Sequence, residues 1–493
     1  MSDPRLVGVQ LGPAEVRVAV YARDGRLLDA GETAIGDQTA VAWERALREA
    51  TPELPDSGIC SVASTSGTLV VVDGTGEPVF PPQMYYDSAP EQARRLQDLD
   101  VTDDSAGLDV ALSATSPLAK LLGLREQHPS RFADAEWVLS PTTWLLYRLR
   151  YGRSTRWHNV ETDWTNALKF GADITPSLPE WRTDLIEALD LSLDLFPTIR
   201  PPGTYIGVAD GELADRTGFS GIKLYQGVTD GSASALATDC IEPGDFSITV
   251  GATSLVKYVS ESITADDALY YHRHPLDGYL PGASFDSGAV FEWFCDRLFD
   301  CSPRRGLELA RETPAGDEYE VFLQGRRSPF FDPELGTSVL GIAHDSDLTA
   351  EAVTGRFARG ITTGIGLAEH TYIRKIEDLF DTSIDTVRMM SEVTGRTDPP
   401  FEWWDDLRSS VWRRPVVKMQ SRTTAGLLIP PALITSVYDD ASEASDHLLG
   451  TERRIEPDPE VANLYGERRQ SYFERWETVT DLSRDDGPVP RGP

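Results

Sequence analysis

The chain contains little lysine and far fewer basic than acidic residues. Its 493 residues include 46 Lys or Arg and 79 Asp or Glu, for a formal net charge of −33. So acidic a surface repels nucleic-acid phosphates and anionic membranes, which argues against both as partners. The lysines are Lys120, Lys169, Lys223, Lys257, Lys375 and Lys418. This composition favours a cytoplasmic protein of a salt-in halophile, where salt screens self-repulsion, over an acidic mesophilic protein.

Cysteine, histidine and long apolar runs are also scarce. The cysteines are Cys60, Cys240, Cys295 and Cys301. They form no CxxC pair and no cluster with zinc spacing, so we expect free thiols in a reducing cytosol. His272 and His274 alternate along a predicted strand, a pattern more typical of structural histidines than of a metal site. No apolar run approaches the ~20 residues of a membrane span, and the acidic N-terminus does not resemble a signal peptide.

A strand–glycine–strand pattern occurs twice in the chain. Residues 6–12 are apolar and residues 16–21 alternate, and residues 246–251 and 255–259 repeat this arrangement at mid-chain. The repetition predicts two related lobes joined near residues 242–245. The predicted units are an N-terminal lobe over residues 1–242, a C-terminal lobe over residues 243–480 and a frayed tail over residues 481–493.

The glycine turns and one aspartate are the residues that suggest chemistry. A tight turn between strands exposes backbone N–H groups that can bind an anion, so Gly12 and residues 251–254 could hold a polyphosphate between two lobes. A plain hairpin is the commoner use of such a turn. Asp230, in the segment Gly227–Gly231, follows a β-run and is placed to face a cleft. A turn aspartate that binds its own backbone is an equally good interpretation.

In this order, the segments resemble the FGGY carbohydrate kinases, a branch of the actin-like, ribonuclease-H-like ATPases. The resemblance spans nearly the whole chain and is strongest at residues 325–336, which read GRRSPFFDPELG. GVTD at 227–230 is similar to the family's G-x-x-D, VGATS at 250–254 resembles its second phosphate loop, and Gly288 lies at a similar helix start. The resemblance implies an α/β fold of two lobes, each a mixed sheet flanked by helices, around a central cleft.

Two further stretches resemble one subgroup of that family. STSGTLVVVD at 64–73 followed by MYYD at 84–87, and TDWTNALKFG at 162–171, are similar to the D-ribulokinase and xylulokinase-like members. The Arg-Glu pair of the glycerol kinases is absent from the first stretch. The resemblance therefore implies a ketopentose or a pentitol as substrate. The substrate contacts that it implies are Thr65, Ser66, Gly67, Asp87, Asn166 and Asp230.

The resemblance also implies a mechanism. Asp230 would accept the proton of the attacking sugar hydroxyl, with ATP as the phosphoryl donor and Mg²⁺ bridging its phosphates. Asp230 and, through a water molecule, Gln10 would face the metal ion. The nucleotide contacts would be Gly12, Arg17, Gly251, Ala252, Thr253, Ser254, Gly288 and Gly395.

The chain departs from the family pattern on the nucleotide side. Gln10 stands where the family has an aspartate, and Pro13 and Ala14 replace two hydroxyl residues, which removes one N–H donor. Residues 391–400 keep one glycine, Gly395, where the family has three. Residues 356–360 lack a glutamate of the family pattern. The sugar side and Asp230 keep the family's residue types.

This asymmetry leaves three hypotheses. The first is an ATP-dependent sugar kinase with a divergent nucleotide site. The second is a pseudokinase that binds a sugar and acts as a sensor or a scaffold. The third is a kinase that uses another phosphoryl donor, and no feature of the sequence supports it. The sequence leaves a homodimer open.

Overall fold

The computed structural model describes residues 4–99, 108–325, 328, 330, 332, 335–342, 348–391 and 399–485. These residues form two lobes, each built on a seven-stranded mixed sheet. Every helix in the described ranges is too short or too polar to cross a membrane.

The strands are β1 Leu6–Leu11, β2 Glu15–Tyr21, β3 Leu27–Ala34, β4 Ile59–Ser64, β5 Val70–Val72, β6 Trp137–Leu139, β7 Glu161–Asp163, β8 Ala172–Asp173, β9 Glu180–Trp181, β10 Thr198–Arg200, β11 Tyr205–Val208, β12 Lys223–Tyr225, β13 Val228–Thr229, β14 Phe246–Val250, β15 Thr253–Tyr258, β16 Tyr270–Arg273, β17 Tyr279–Asp286, β18 Glu320–Phe322, β19 Ser338–Leu340, β20 Val387–Ser391, β21 Val416–Met419 and β22 Thr451–Ile455.

The α-helices are α1 Ala40–Ala50, α2 Pro90–Gln97, α3 Leu108–Ala111, α4 Pro117–Gln127, α5 Pro129–Phe132, α6 Pro141–Tyr151, α7 Trp164–Ala167, α8 Thr183–Ala188, α9 Glu212–Thr217, α10 Asp230–Ala237, α11 Gly288–Arg297, α12 Pro303–Glu312, α13 Ala350–Phe380, α14 Pro399–Trp412, α15 Thr423–Gly426, α16 Ile429–Ile434, α17 Ala441–Leu448, α18 Pro459–Leu464 and α19 Gly466–Asp485. Short 3₁₀ turns span Leu168–Phe170 and Leu193–Leu195.

The two sheets share one topology, which confirms the predicted pair of related lobes. In the N-terminal sheet the order is β11-β12-β4-β1-β2-β3, and the seventh strand, β13, pairs with β4 off this path. Strand β1 is antiparallel to β2 and parallel to β4. In the C-terminal sheet the order is β16-β17-β15-β14-β20-β21-β22, with β14 antiparallel to β15 and parallel to β20. Each sheet therefore places a hairpin turn beside the end of a parallel strand, and the two turns are the glycine turns singled out in the sequence.

Local sequence explains where the main helices begin. Thr39 caps α1 by accepting a hydrogen bond from the N–H of Ala42. Ser140 caps α6 in the same way and is followed by Pro141, whose missing N–H costs nothing in a first turn. Both helices pack into the core of the N-terminal sheet through Trp43 and Trp144, which contact each other edge to face.

One segment of the C-terminal half packs on the N-terminal sheet. Helices α15 to α17 share a buried apolar cluster with residues of β1, β2 and β4. The hydroxyl groups of Tyr21 and Thr424 are hydrogen bonded at 2.8 Å, and Gly426 lets α15 cross closely over α10. The predicted bounds of the C-terminal lobe, residues 243–480, stay a prediction. Residues 423–449, which fall within those bounds, pack against the N-terminal lobe.

Gly8 sets the distance between β1 and this segment, so we expect Gly8→Val to be strongly destabilising. A Cβ at residue 8 would overlap the carbonyl oxygen of Thr424, and backbone cannot yield as a flexible side chain can. Overpacking of this kind costs about 1–3 kcal/mol or more. The measurement is the midpoint of chemical unfolding. Gly74→Ala is the matched control, since a Cβ there meets no atom within 4 Å, and an equal loss in both variants would contradict the prediction.

The frayed tail expected over residues 481–493 stays a prediction, and its first five residues belong to a helix. Helix α19 continues to Asp485, because its face anchored by Trp476 and Thr480 is buried on the C-terminal lobe and local helix propensity carries the chain one further turn. Residues 486–493 lie outside the described residues.

Candidate active site

A cavity of about 640 Å³ lies between the two lobes. Ser66, Lys169 and Asp230 line it from the N-terminal half, and Thr253 and Lys257 from the C-terminal half. Tyr85, Val110, Ser113, Thr229, Gly231, Ser232, Leu255, Asp267, Leu269, Tyr270, His272 and Ser284 complete the lining. Pockets of this size hold small organic ligands.

Asp230 is the first residue of α10 and follows directly on β13. The side chain of Thr229 caps the helix, so the backbone at Asp230 is fixed at a strand-to-helix junction. Oδ1 of Asp230 accepts hydrogen bonds from the N–H of Gly231 at 2.8 Å and of Ser66 at 3.2 Å. Both interpretations of Asp230 therefore hold, because it binds its own turn and also faces the cavity. Burial raises the pKa of Asp230, while Gly231, Lys169 and Ser66 act in the opposite direction.

Lys169 supplies the positive charge next to Asp230. Burial lowers the pKa of Lys169, and attraction to Asp230 acts against that shift. Gly67 makes room for this side chain, since a Cβ there would stand 3.0 Å from Cδ of Lys169, and its φ of +85° favours glycine. Sequence reasoning missed Lys169 as a site residue. The rarity of lysine was the available signal, because three of the six lysines, Lys120, Lys169 and Lys257, lie in or behind this cavity.

Two of the six predicted substrate residues, Ser66 and Asp230, line the cavity. The hydroxyl of Thr65 is buried and hydrogen bonded to Thr68 at 2.7 Å. The carbonyl oxygen of Gly67 accepts from Nζ of Lys120 at 2.8 Å. Asp87 closes a turn by accepting from the N–H of Met84 at 2.7 Å. These three residues shape the wall behind the cavity.

Asn166 is buried beside the cavity and does not line it. Its Nδ2 donates to Oδ2 of Asp163 at 2.7 Å, and its N–H donates to Oδ1 of the same residue at 3.0 Å. Oδ1 of Asn166 has no hydrogen-bond partner. In this structure the side chain therefore braces the start of α7 against Asp163, an arrangement that the motif did not predict.

The first glycine turn joins β1 to β2 and presents one free amide. The N–H of Gly12 donates to the carbonyl of Glu15 at 2.9 Å, and Pro13 has no N–H, which leaves the exposed Ala14. Arg17 forms ion pairs with Glu15 and with Glu32. The two groups that the sequence assigned to nucleotide binding here, the Gly12 amide and the Arg17 guanidinium, thus already have partners.

The second glycine turn joins β14 to β15 and is held from behind by α11. The N–H groups of Gly288 and Ala289 donate to the carbonyls of Gly251 and Ala252 at 3.0 and 2.9 Å. A Cβ at Gly288 would overlap the Gly251 carbonyl, so the contact requires glycine. The exposed amide of Ala252 has no hydrogen-bond partner in the described part of the chain. Gly288 thus positions the turn, and Thr253 faces the cavity.

Ser254 faces away from the cavity into a buried charged network. Its Oγ donates to Oε1 of Glu369 at 2.7 Å, and Glu369 forms a buried ion pair with Arg408 at 3.0 Å. Arg408 stacks on Trp404 with its guanidinium carbon 4.3 Å from the ring centroid. Asp405 links Arg408 to Lys418. The hydroxyl of Ser254 is therefore committed to Glu369, and the nucleotide contact that the sequence assigned to Ser254 stays a prediction.

A cavity of about 30 Å³ remains between the second turn and this network. Gly251, Gly288, Trp404 and Arg408 are among its walls. Gly395, the remaining glycine of the predicted nucleotide loop, lies outside the described residues.

The residues at the cleft fit a magnesium ion that arrives bound to phosphates. Within the described residues, no group of three or more His, Cys, Asp or Glu side chains could hold a metal alone. Gln10 and Val228 flank Ala63 on the strands either side of β4, which brings Gln10 and Asp230 to one end of the sheet. The buried Oε1 of Gln10 has no partner. Mg²⁺ typically keeps several waters and takes one or two protein oxygens beside substrate phosphates.

The two histidines differ in their surroundings. His274 is structural, as predicted, since its Nε2 is 3.0 Å from the carbonyl oxygen of Cys240 and burial lowers its pKa to about 4. His272 lines the cavity, and its Nδ1 has no hydrogen-bond partner. The structural role predicted for His272 stays a prediction, and its side chain on β16 faces the cleft.

Comparison with known proteins agrees with this architecture. Residues 35–237 match the model of the FGGY family of carbohydrate kinases, N-terminal domain. An autoinducer-2 kinase of Photorhabdus laumondii is 22% identical, over 96% of this chain and 94% of its own length. Xylulose kinase from Rhodospirillum rubrum superposes with a TM-score of 0.80 at 18% identity, over 97% of this chain and 99% of its own length. Gluconate kinase from Lactobacillus acidophilus superposes with a TM-score of 0.79 at 18% identity, over 97% of this chain and 98% of its own length.

These similarities show the fold, and the family model covers residues 35–237, which is less than half of the chain. None of these similar proteins supports the pseudokinase alternative. Their names give different substrates, so the comparisons leave the ribulokinase or xylulokinase subtype undecided. Residues 35–237 thus resemble the N-terminal domain of the FGGY carbohydrate kinases, and the chain as a whole has the two-lobed fold of the superposed kinase structures.

Proposed function

We propose that this protein transfers the γ-phosphate of ATP to a hydroxyl group of a polyhydroxylated acceptor, with D-ribulose and D-xylulose as the first neutral acceptors to test. The observation that carries the proposal is Asp230. Its carboxylate stands at a strand-to-helix junction at the edge of an interlobe cavity, next to a lysine and between two glycine turns.

In this reaction Asp230 is the general base. Oδ1 is held by the N–H groups of Ser66 and Gly231, so we assign Oδ2 to the acceptor hydroxyl. The hydroxyl oxygen forms the new bond to the γ-phosphorus as the bond to the ADP oxygen breaks, and its proton passes to Asp230. Lys169 opposes the rise in the pKa of Asp230 that burial causes, because its positive charge favours the deprotonated form that accepts the proton.

The chain's own donors bind the transferred phosphate. The free amides of Ala14 and Ala252 lie on the two glycine turns, which is where a phosphate between the lobes would be bound. Asp230 and Gln10 would face the magnesium ion through its waters, and that ion supplies charge neutralisation on the phosphates. Helices α10 and α15 cross closely at Gly426 and connect the lobes. The lobes would close about these two helices, and closure would exclude water from the cavity.

The test is turnover and binding in multimolar KCl, because the composition indicates a salt-in environment. Mg-ATP is titrated calorimetrically with and without D-ribulose, and ADP release is followed for a panel of sugars, polyols and sugar acids. We expect nucleotide binding that tightens with acceptor, and acceptor-dependent ADP release. A folded protein that binds an acceptor yet neither binds nor hydrolyses Mg-ATP would overturn the proposal.

We expect Gln10→Asp to lower the KM for Mg-ATP by about tenfold. A carboxylate binds a metal-bound water more strongly than an amide, since charged hydrogen bonds contribute about 1.5–3 kcal/mol against about 1 for neutral ones. Arg17, the cross-strand neighbour of residue 10, would offset the added charge. Gln10→Leu, which removes the oxygen, is the matched control and should raise the KM. Equal KM values in all three proteins would show that residue 10 does not face the metal.

A further inference from the structure

We propose that the physiological acceptor is a sugar acid, and that Lys257 binds its carboxylate in the interlobe cavity. This inference rests on the proposed kinase function and names the substrate class of that same site. It differs from the neutral ketopentose that the sequence motifs imply.

The first argument is that Lys257 is a buried cation without a partner anion. Lys257 is 5% exposed. Within the described residues it forms no ion pair, whereas Lys375 and Lys418 do. Nζ lies over the ring of Tyr270, 4.4 Å from the centroid. Gly282 on the next strand makes room for it, since a Cβ there would stand 2.9 Å from Cδ and 3.1 Å from Nζ of Lys257. The fold thus has a place for an ammonium group that contacts no carboxylate within the described residues, although the charge of Asp230 attracts it.

The second argument is the position of Lys257 along β15. Thr253, Leu255 and Lys257 alternate on the strand face that lines the cavity. Lys257 is four residues from Thr253, or roughly 13 Å along the strand, so it lies away from the glycine turn where phosphates would bind. Lys169 repels and Asp230 attracts the charge of Lys257. Lys257 therefore lies near Asp230, on the acceptor side of the cavity.

The third argument is the charge balance of the lining. Asp230 is neighbour to Lys169, and Asp267, the other carboxylate of the lining, is exposed at the edge, where solvent screens it. His272 is neutral, since burial drives its pKa well below the usual value, and its unpartnered Nδ1 can bond a hydroxyl. An acceptor carboxylate would pair with the ammonium form of Lys257, whereas a neutral sugar would leave the group without a counter-ion.

The behaviour of the ammonium supports this assignment. Burial, with repulsion from Lys169, lowers the pKa of Lys257 to about 7. At neutral pH the free protein therefore holds this group only partly charged. A bound carboxylate favours the charged form, so acid binding should take up a proton, a change that calorimetry in buffers of different ionisation enthalpy measures directly.

The experiment compares matched acceptors that differ only in the carboxylate. D-gluconate is paired with D-glucitol and D-ribonate with ribitol, and D-ribulose and D-xylulose are included. Wild type is compared with Lys257→Met, Lys257→Arg and the surface control Lys223→Met. We expect wild type to prefer the acids, Lys257→Met to lose 10- to 100-fold in kcat/KM for the acids alone, and Lys257→Arg to retain most of it. The KM for Mg-ATP should not change.

Two results would overturn the inference. One is a wild-type preference for neutral acceptors over every acid. The other is an equal effect of Lys257→Met on acids and neutral acceptors, or a raised KM for Mg-ATP, which would assign Lys257 to the phosphates. If no acceptor is phosphorylated, the kinase proposal fails and binding decides. If wild type binds a sugar acid in calorimetry and Lys257→Met does not, the result supports the anion site. If folded wild type binds no sugar acid, the result overturns it.

Discussion

Asp230→Asn is expected to reduce kcat by about 10²- to 10⁴-fold, the usual contribution of a positioned general base. The amide keeps Oδ1 as an acceptor for the N–H groups of Ser66 and Gly231, so the junction between β13 and α10 should stay intact. What is lost is the proton acceptor and its charge. Acceptor binding, measured by calorimetry, should change much less than kcat.

The control for this variant is Asp277→Asn, which alters a carboxylate whose side chain is 94% exposed and which does not line the cavity. Unfolding midpoints of both variants separate a catalytic loss from a structural one. Near-normal turnover in Asp230→Asn would remove Asp230 from the reaction and with it the observation on which the proposed function rests.

Arg408→Met is expected to destabilise the C-terminal lobe by about 3–5 kcal/mol. Side chains of Arg408 and Glu369 are 3% and 0% exposed and form an ion pair at 3.0 Å. Removing the arginine leaves a buried carboxylate whose remaining partner is the hydroxyl of Ser254. Breaking one partner of a buried pair carries a cost of this size, because the other charge stays desolvated. Chemical unfolding measures it.

The deficit of Arg408→Met should shrink as the pH falls. Burial already raises the pKa of Glu369 in the intact protein, and Arg408 opposes that shift. Without Arg408 the folded pKa rises further above the unfolded value, so the penalty exists above the unfolded pKa and is relieved as Glu369 is protonated. The double variant Arg408→Met with Glu369→Gln should recover part of the loss. Arg453→Met, which breaks a partly exposed pair with Asp406, is the control. A pH-independent deficit would argue against this explanation.

The elements of the fold could be predicted from the sequence because they depend on local pattern. The alternation of residues 16–21 and the apolar run of residues 6–12 specify paired strands, and β1 and β2 are found there. The same holds for β14 and β15, and the repeated pattern was enough to predict two related lobes. The position of Asp230 at a strand end followed from the glycines and β-branched residues around it.

The composition of the site was a different matter, since it depends on residues far apart in the sequence. Lys169 and Lys257 come from different lobes, and neither has a local pattern that separates it from a surface lysine. The alternation that predicted His272 and His274 on one strand face could not tell which of them meets a cavity and which a carbonyl group.

The sequence by itself determined the two-lobed architecture, the acidic surface, the placement of the glycine turns and the candidate base, because strand pairing, turns and net charge are fixed by neighbouring residues and by composition. Tertiary structure alone decided that Ser254 binds Glu369, that Asn166 braces Asp163, and that Lys257 lines the cavity between the lobes. The physical reason is that burial and partner choice are set by which distant segments pack together, and a side chain's charge acquires its chemical role only when those neighbours are in place.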